Sequence, residues 1–495
     1  ENPRLFAPLP PHRRSALRDA AGVEAKGRIS VDFLYWMGKA VKGMFQSVPT
    51  APGELQISEK MANAITGWLL AFYQRPAWLE AGYRVTNAPI NVTDYMSTLA
   101  CNEIAMSAGA SARGTWINDQ LTRFLLPQLK NAVQLAGAGG RVVVKPYPSG
   151  RNIYCEIIPA DRIYPTRING AGVTEAGFFT DFAALRGRKV VRVEAWDLQP
   201  DGLYLQNRAY WYNTGDTLGG ELALTDVPEW AGLEPEVVIR GVDRPLFGEL
   251  RMPMANTVDE TSKLPVSLYA RAVDTMAELD RIYSEFLWEI HTGKRKRIVD
   301  RTAIKPDKSG GGVPFRDQTT DLYLSMDLTG DMGQGDPFRD YTPALRVEEY
   351  QKAIDIQCRL LERQTGFSPG TFSFDLKSGR MTATQVVSDD KETYNTTKAI
   401  QENGLRQGLL DLMYAYDIYA TLYGLAPAGA FDPSVSFGDS IFEDTGVEFA
   451  RRKGLVDSGY LRPELLVGWY FGVSEQEARE KYMPEPRPML RFPEE

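Results

Sequence analysis

Apolar residues recur between Ser267 and Gly293 at three- and four-residue steps: Leu268, Ala272, Met276, Leu279, Tyr283, Phe286 and Ile290. That spacing follows the turn of an α-helix and draws one stripe along one face. Lys, Arg, Asp and Glu fill the other faces, and Pro265 and Gly293 bracket the run as entry and exit residues do. The pattern predicts a helix roughly 40 Å long at about 1.5 Å per residue. A rod of that length with a single apolar stripe needs a partner surface of similar length. Strands are predicted next, from Ile298-Val299 and from the alternation Leu322, Leu324, Met326 among Asp321, Asp327, Asp331, Asp336 and Asp340. The chain crosses Gly310-Gly311-Gly312 and returns from Arg346 to Gln364, where Val347, Tyr350, Ile354 and Leu361 predict a second helix. Helix, β-rich excursion and return helix make a hairpin-like projection.

A third pattern runs helical from Thr382 to Tyr423, roughly 60 Å, which is long for a globular domain. Gly404 and Gly408 are poor helix formers and predict a bend there. Between the helices, Phe367 to Met381 reads as a loop through Ser368-Pro369-Gly370 and Lys377-Ser378-Gly379-Arg380, carrying two exposed cations. Residues 57 to 136 are mainly helical in pattern, including Leu69 to Tyr73 and the run Trp116, Leu121, Phe124, Leu125, Leu129, Val133. From 140 to 250 the pattern turns to strands: Val190, Val191 and Val193 followed by Ala195 and Trp196; Leu203 to Leu205; Ala209 to Tyr212; Val237 to Ile239. Asp201-Gly202 and Gly219-Gly220 mark turns between them. The tail from Glu443 to Tyr482 is helical in short segments punctuated by Gly454, Gly459 and Gly472. The fold class is α+β. Pro3, Pro8, Pro10 and Pro11 suggest a loose N-terminal arm.

Composition narrows the chemistry. With 495 residues and 43% hydrophobic content, the chain can fill more than one core. A net charge of -8 argues against general affinity for phosphate backbones. Cys101, Cys155 and Cys358 are too few and odd in number for a disulfide framework and fit a reducing compartment. With only His12 and His291 besides, they argue against a zinc site. No apolar run reaches the roughly 18 residues of a spanning helix and the first residues lack a signal pattern, so a soluble protein made in the cytoplasm, without membrane contact, is expected. The glycines of Ala136 to Gly140 follow a helix and precede the strand Arg141 to Val144. Dinucleotide and P-loop sites need the opposite order, so this is a structural turn. No Gly-x-x-x-x-Gly-Lys-Ser/Thr occurs, which argues against an ATPase. Asp389-Asp390 and Glu348-Glu349 are adjacent acids on helices and point in different directions, and the acids from 321 to 340 lack EF-hand spacing. No catalytic residue, cofactor or metal is expected.

Lys294-Arg295-Lys296-Arg297 follows the first helix. It reads either as a solvated cluster compensating the helix dipole or as a contact for DNA or a partner.

Across nearly its full length the chain resembles the portal proteins of tailed bacteriophages, in the branch typified by siphophages of Gram-positive hosts. The resemblance rests on Ser267-Leu268-Tyr269 through Ala277-Glu278-Leu279-Asp280-Arg281-Ile282-Tyr283, on Gly293 to Arg297, and on Gly366-Phe367-Ser368. Gly379-Arg380-Met381-Thr382-Ala383-Thr384-Gln385-Val386 and Val435 to Asp444 complete it. It implies a portal fold in domains: an N-terminal arm and wing (1–265), a first stem helix (266–292), a clip (293–344) and a second stem helix (345–366). A channel or tunnel loop (367–381), a long helix and strand completing the wing (382–440) and a short helical crown (441–495) come after these. The implied assembly is a homo-oligomeric ring of about twelve subunits at one capsid vertex, in the virion after assembly in the host cytoplasm. Double-stranded DNA would pass along its axis, packaged by a terminase and later ejected. Other implied partners are the major capsid protein, a scaffolding protein and a head-to-tail adaptor. Lys377 and Arg380 would face the DNA channel, and Lys294, Arg295, Lys296 and Arg297 would meet DNA or a partner at the clip. The alternatives are another ring-forming virion connector or a nucleic-acid-processing enzyme.

Overall fold

The computed structural model describes residues 55–79, 82–170, 172–213, 217–293, 296–300, 323–326, 338–341, 343–373, 391–438, 445–471 and 475–483. Helix α1 (Glu59–Phe72) starts at Ser58, whose hydroxyl accepts the Met61 N–H at 3.2 Å. It buries Met61, Ile65, Trp68 and Leu69 along one face. Helix α2 (Ala88–Cys101) and strand β1 (Ile104–Ser107) come next. Helix α3 (Ala112–Gln120) runs through a π-helical turn (Leu121–Leu125) into α4 (Leu126–Gly139). Pro127 explains the widened turn, since it has no N–H to donate and its ring crowds the carbonyl four residues back. Gly140 ends α4 at φ 87 in close quarters, where a Cβ would stand 2.7 Å from the Pro265 carbonyl oxygen. Of the segment Ala136 to Gly140, read from sequence as a turn, the first four residues lie in the helix and only Gly140 makes the turn.

Strands β2 (Arg141–Ser149) and β3 (Asn152–Pro159) form a hairpin. Strands β4 (Ile163–Ile168), β5 (Thr174–Leu185), β6 (Arg188–Gln199), β7 (Gly202–Asn213) and β8 (Thr217–Leu222) then meander antiparallel, with β9 (Glu236–Arg240) also on β7. The two expected strands at 203–205 and 209–212 are one. The polar residues between them find cross-strand partners: the Gln206 side-chain amide donates to Glu236 at 3.2 Å, and the Asn207 side-chain oxygen accepts from Arg192 at 3.2 Å. Strand β10 (Gly248–Arg251) pairs with the far edge of β2, opposite β3. Val142, Val143 and Val144 are buried on both faces of this small sheet. Glu194 on β6 is buried; burial opposes its ionisation, but Lys145 of β2 and Arg192 outweigh that and hold its carboxyl below the usual range.

Helix α5 (Val273–Thr292) is about 30 Å long, shorter than the periodicity implies. Residues 267–269 turn aside instead. The Ser267 hydroxyl and Leu268 N–H both donate to the Gly137 carbonyl, and the Tyr269 hydroxyl to that of Trp68. Those bonds draw this backbone away from helical pairing. Strands β11 (Lys296–Asp300), β12 (Tyr323–Met326) and β13 (Phe338–Tyr341) form a three-stranded sheet with β11 central, parallel to β12 and antiparallel to β13. Helix α6 (Val347–Thr365) returns.

Helix α7 (Lys391–Ala399) passes through a second π-helical turn (Ile400–Leu405) into α8 (Arg406–Leu422). Residues 382–390, where a helix start was expected, lie outside the described residues. Gly404 and Gly408 permit a close crossing: a Cβ on either would lie 2.3 Å from a carbonyl oxygen of β10, that of Arg251 or of Glu249. Their helix-weakening character marks contact with the sheet. Strand β14 (Ser434–Phe437) pairs antiparallel with β1, Ile104 opposite Phe437. Helices α9 (Thr445–Asp457) and α10 (Pro463–Phe471) close the described chain with a short helical turn after them. Gly454 lies inside α9 rather than punctuating it, whereas Gly459, at φ 76, does mark a turn.

Candidate functional site: a helical hairpin, its tip and the loop at its root

Three contacts fix α5 and α6 as an antiparallel pair. The Thr275 hydroxyl donates to Gln364 at 2.8 Å, the Phe286 and Tyr350 rings lie 5.5 Å apart, and Arg346 meets Glu289 at 2.6 Å. The Arg346 side chain, and its backbone N–H at 3.0 Å, hold the Glu289 carboxyl well down, to about 2. At the other end the pair is tied to the body of the protein. Asp280, 5% exposed, accepts the indole N–H of Trp78 at 3.0 Å and both the N–H and hydroxyl of Thr86 at 2.7 Å. Ser284, one turn on, accepts the Arg84 N–H at 2.8 Å.

A groove of about 650 Å³ opens where this segment meets the hairpin, lined by Val85, Ala88, Leu279, Phe286, Ile354 and Leu361 among others. On the faces turned away from it the helices present large apolar side chains to solvent, with Trp288 52% and Ile356 58% exposed. Among the described residues no helix is long and apolar enough to cross a membrane.

The loop at the root begins at Gly366, in the left-handed region at φ 79. Glu362, 1% exposed, takes hold of the residues just beyond it: its carboxylate accepts the N–H of Phe372 at 2.6 Å, of Ser373 at 2.7 Å and of Gly370 at 3.2 Å. Across the loop, the Ser368 N–H donates to the Thr393 hydroxyl at 2.9 Å and the Thr393 N–H to the Ser368 hydroxyl at 3.1 Å. The Thr396 hydroxyl adds a bond to the Gly366 carbonyl at 2.7 Å. Phe367, Phe372 and Tyr95 pack edge-on around the same point. Departure and return are therefore clasped together.

Of the sequence-predicted cations, Lys377 and Arg380 lie outside the described residues, as do Lys294 and Arg295. Lys296 and Arg297 belong to the ladder of β11, where Lys296 is opposite Tyr341 and Arg297 lies between Tyr323 and Asp340. That half of the cluster belongs to the strand, past the helix end it was expected to cap. Asp389 and Asp390 are outside the described residues, and Glu348 and Glu349 are exposed in the first turn of α6. Among the described residues no group of three or more His, Cys, Asp or Glu could hold a metal ion.

Sequence reasoning missed Asp280, Glu362 and the Ser368–Thr393 clasp. Glu362 sits in Leu-Leu-Glu-Arg-Gln, which reads like any solvated helix face, and the partners of Asp280 lie about two hundred residues away. No local signal marks them.

Comparison with known proteins adds little. No family model matches the chain, and no curated protein matches it. Among solved structures, one similar chain comes from the neck of a native GTA particle computed with C12 symmetry, at 10% identity and a TM-score of 0.36, covering 83% of this chain and 99% of that one. Another comes from the neck of an empty GTA particle computed with C6 symmetry, at 10% identity and a TM-score of 0.37 with the same coverage.

Proposed function

We propose that this chain is a ring-forming portal protein, the connector at one vertex of a tailed-phage capsid. The observation that carries the reading is the hairpin of α5 and α6, bearing a small sheet at its tip and anchored at its root by Asp280. A lone projection that leaves Trp288 and Ile356 in water gains by packing sideways against copies of itself. A heterologous contact repeated by rotation closes a ring. In this reading α5 and α6 are the stem, the sheet β11–β13 belongs to the clip, the body before 265 and after 382 is the wing, and the helices after 441 are the crown.

The clasp at Glu362 and Thr393 then has a purpose: it fixes the base from which the channel loop assigned to 367–381, with Lys377 and Arg380, would reach toward the ring axis. A chain with net charge -8 suits a conduit. Many phosphate contacts summed around a ring would hold a polyanion tightly and salt-dependently, while a few cations can centre a duplex that still slides. The reading assigns the clip to the terminase during packaging and to a head-to-tail adaptor afterwards, and the outer body to the major capsid and scaffolding proteins. The role is mechanical, with no catalysis. Averaged end-on electron micrographs of the purified protein test it. Closed rings with a central hole wide enough for duplex DNA support it, and dispersed single particles without a hole contradict it.

A further inference from the structure

Residues 1–54 lie outside the described residues, and their sequence carries an amphipathic stripe. Phe33, Met37, Val41, Met44 and Val48 follow one another at four- and three-residue steps, so on a helix they fall along one line. Asp32, Lys39, Lys42 and Gln46 fall on the opposite side, while Leu34, Trp36 and Phe45 border the stripe. Gly38 and Gly43 weaken such a helix, and helices of this length are marginal in water on their own. The segment needs an apolar surface to form on.

The groove between the hairpin and the segment 85–91 is a surface of that kind. None of the residues lining it is charged. Along α6 its wall runs from Val347 near the tip, through Ile354 and Cys358, to Leu361 near the root, about 21 Å at 1.5 Å per residue. The stripe from Phe33 to Val48 is about 22 Å long on the same rise, so the two lengths match.

The connection is long enough to bring them together. Leu55 packs on the core and the Gln56 N–H donates to the Pro165 carbonyl at 2.9 Å, which fixes the point the arm leaves from. Helix α1 then carries the chain about 21 Å. The segment beyond it, tied to α5 through Trp78 and Arg84, forms the groove wall from Val85 on. Residues 49–54, with Pro49 and Pro52, span roughly 20 Å when extended, so the arm can return along α1 to that wall.

We propose that residues 31–48 of this chain fold as a helix in their own chain's groove, with the apolar stripe against α5 and α6 and the lysines toward water. Entering from the body, the helix sets Val48 by Leu361, Met44 near Cys358 and Phe33 by Val347. The arm is then a strap, touching both helices of the hairpin and the start of α2 at once. The inference stands apart from the proposed function, since it needs one chain and no ring.

Cys358 lines the groove without a disulfide and supplies the test. In the full chain, Met44→Cys and Val41→Cys are expected to couple to Cys358 under copper–phenanthroline, giving a faster monomer band on a non-reducing gel and a cross-linked peptide by mass spectrometry. Lys39→Cys and Gln46→Cys, whose Cβ atoms point away, are expected to give little of it, and Cys358→Ser to abolish it. No coupling from the stripe, or equal coupling from both sides, overturns the proposal. A disulfide that joins two chains overturns it as well, by placing another copy's arm in the groove. A second measurement needs no engineered thiol. Met37→Asp/Val41→Asp is expected to speed labelling of Cys358 by N-ethylmaleimide about tenfold, with the circular dichroism of the body kept, and an unchanged rate overturns the strap.

Discussion

The carboxylate of Glu362 accepts the backbone N–H of Phe372 at 2.6 Å from inside the protein. A buried acid that takes up three backbone donors fixes the direction in which the chain leaves α6. Replacing it with alanine strands those donors. Glu362→Ala is therefore expected to cost about 3 kcal/mol and Glu362→Gln, which keeps one acceptor, about 1 kcal/mol, read by urea unfolding. Trypsin should also cut faster at Lys377 and Arg380 in the alanine variant. A variant as stable and as resistant as wild type would remove the clasp from the account.

At Gly408 two effects oppose each other. Helix propensity favours alanine by about 1 kcal/mol. A Cβ 2.3 Å from the Glu249 carbonyl oxygen forces α8 off β10, and overpacking of that kind costs about 3 kcal/mol. The clash wins, so Gly408→Ala is expected to lower stability by about 2 kcal/mol, with a matching fall in the thermal midpoint. A stabilised variant would mean the glycine is there for helix bending alone.

The pair Glu289–Arg346 gives a pH signature. The Glu289 carboxyl is held from an ordinary 4.5 down to about 2. A depressed acid contributes stability that is fully present above its unfolded value and is lost as pH falls toward its folded value. Between pH 4.5 and 2 the wild type should lose protection of the α5 amides faster than Glu289→Gln does, by hydrogen exchange. Identical pH slopes for the two chains would rule the pair out.

Lys377 and Arg380 are tested by charge reversal. Glutamate at both positions is expected to leave ring mass unchanged and to impair DNA packaging or retention in assembled particles, scored as DNA per particle. Normal DNA content would take the loop out of the mechanism.

Much of this architecture is legible in the sequence because periodicity reports burial directly. The stripe from Met276 to Phe286 became the inward face of α5, and the valines from 190 to 193 became the core of β6. Where long-range hydrogen bonds decide, the pattern misleads. Ser267 and Tyr269 flank Leu268 at the start of the predicted helix yet bond to the carbonyls of Gly137 and Trp68. Gln206 and Asn207 interrupt a strand pattern yet pair across strands and keep β7 whole. The two halves of the site differ in the same way. A run of like charge is visible in sequence, as at Lys294 to Arg297, whereas Asp280 and Glu362 act through partners that only folding brings near.

The central claim is that copies of this chain close around an axis, and the mass of the purified wild-type protein tests it most directly. Light scattering across a chromatographic peak is expected to give about twelve times the 55.3 kDa chain, about 660 kDa. A mass that stays at 55.3 kDa across the accessible concentration range would contradict it.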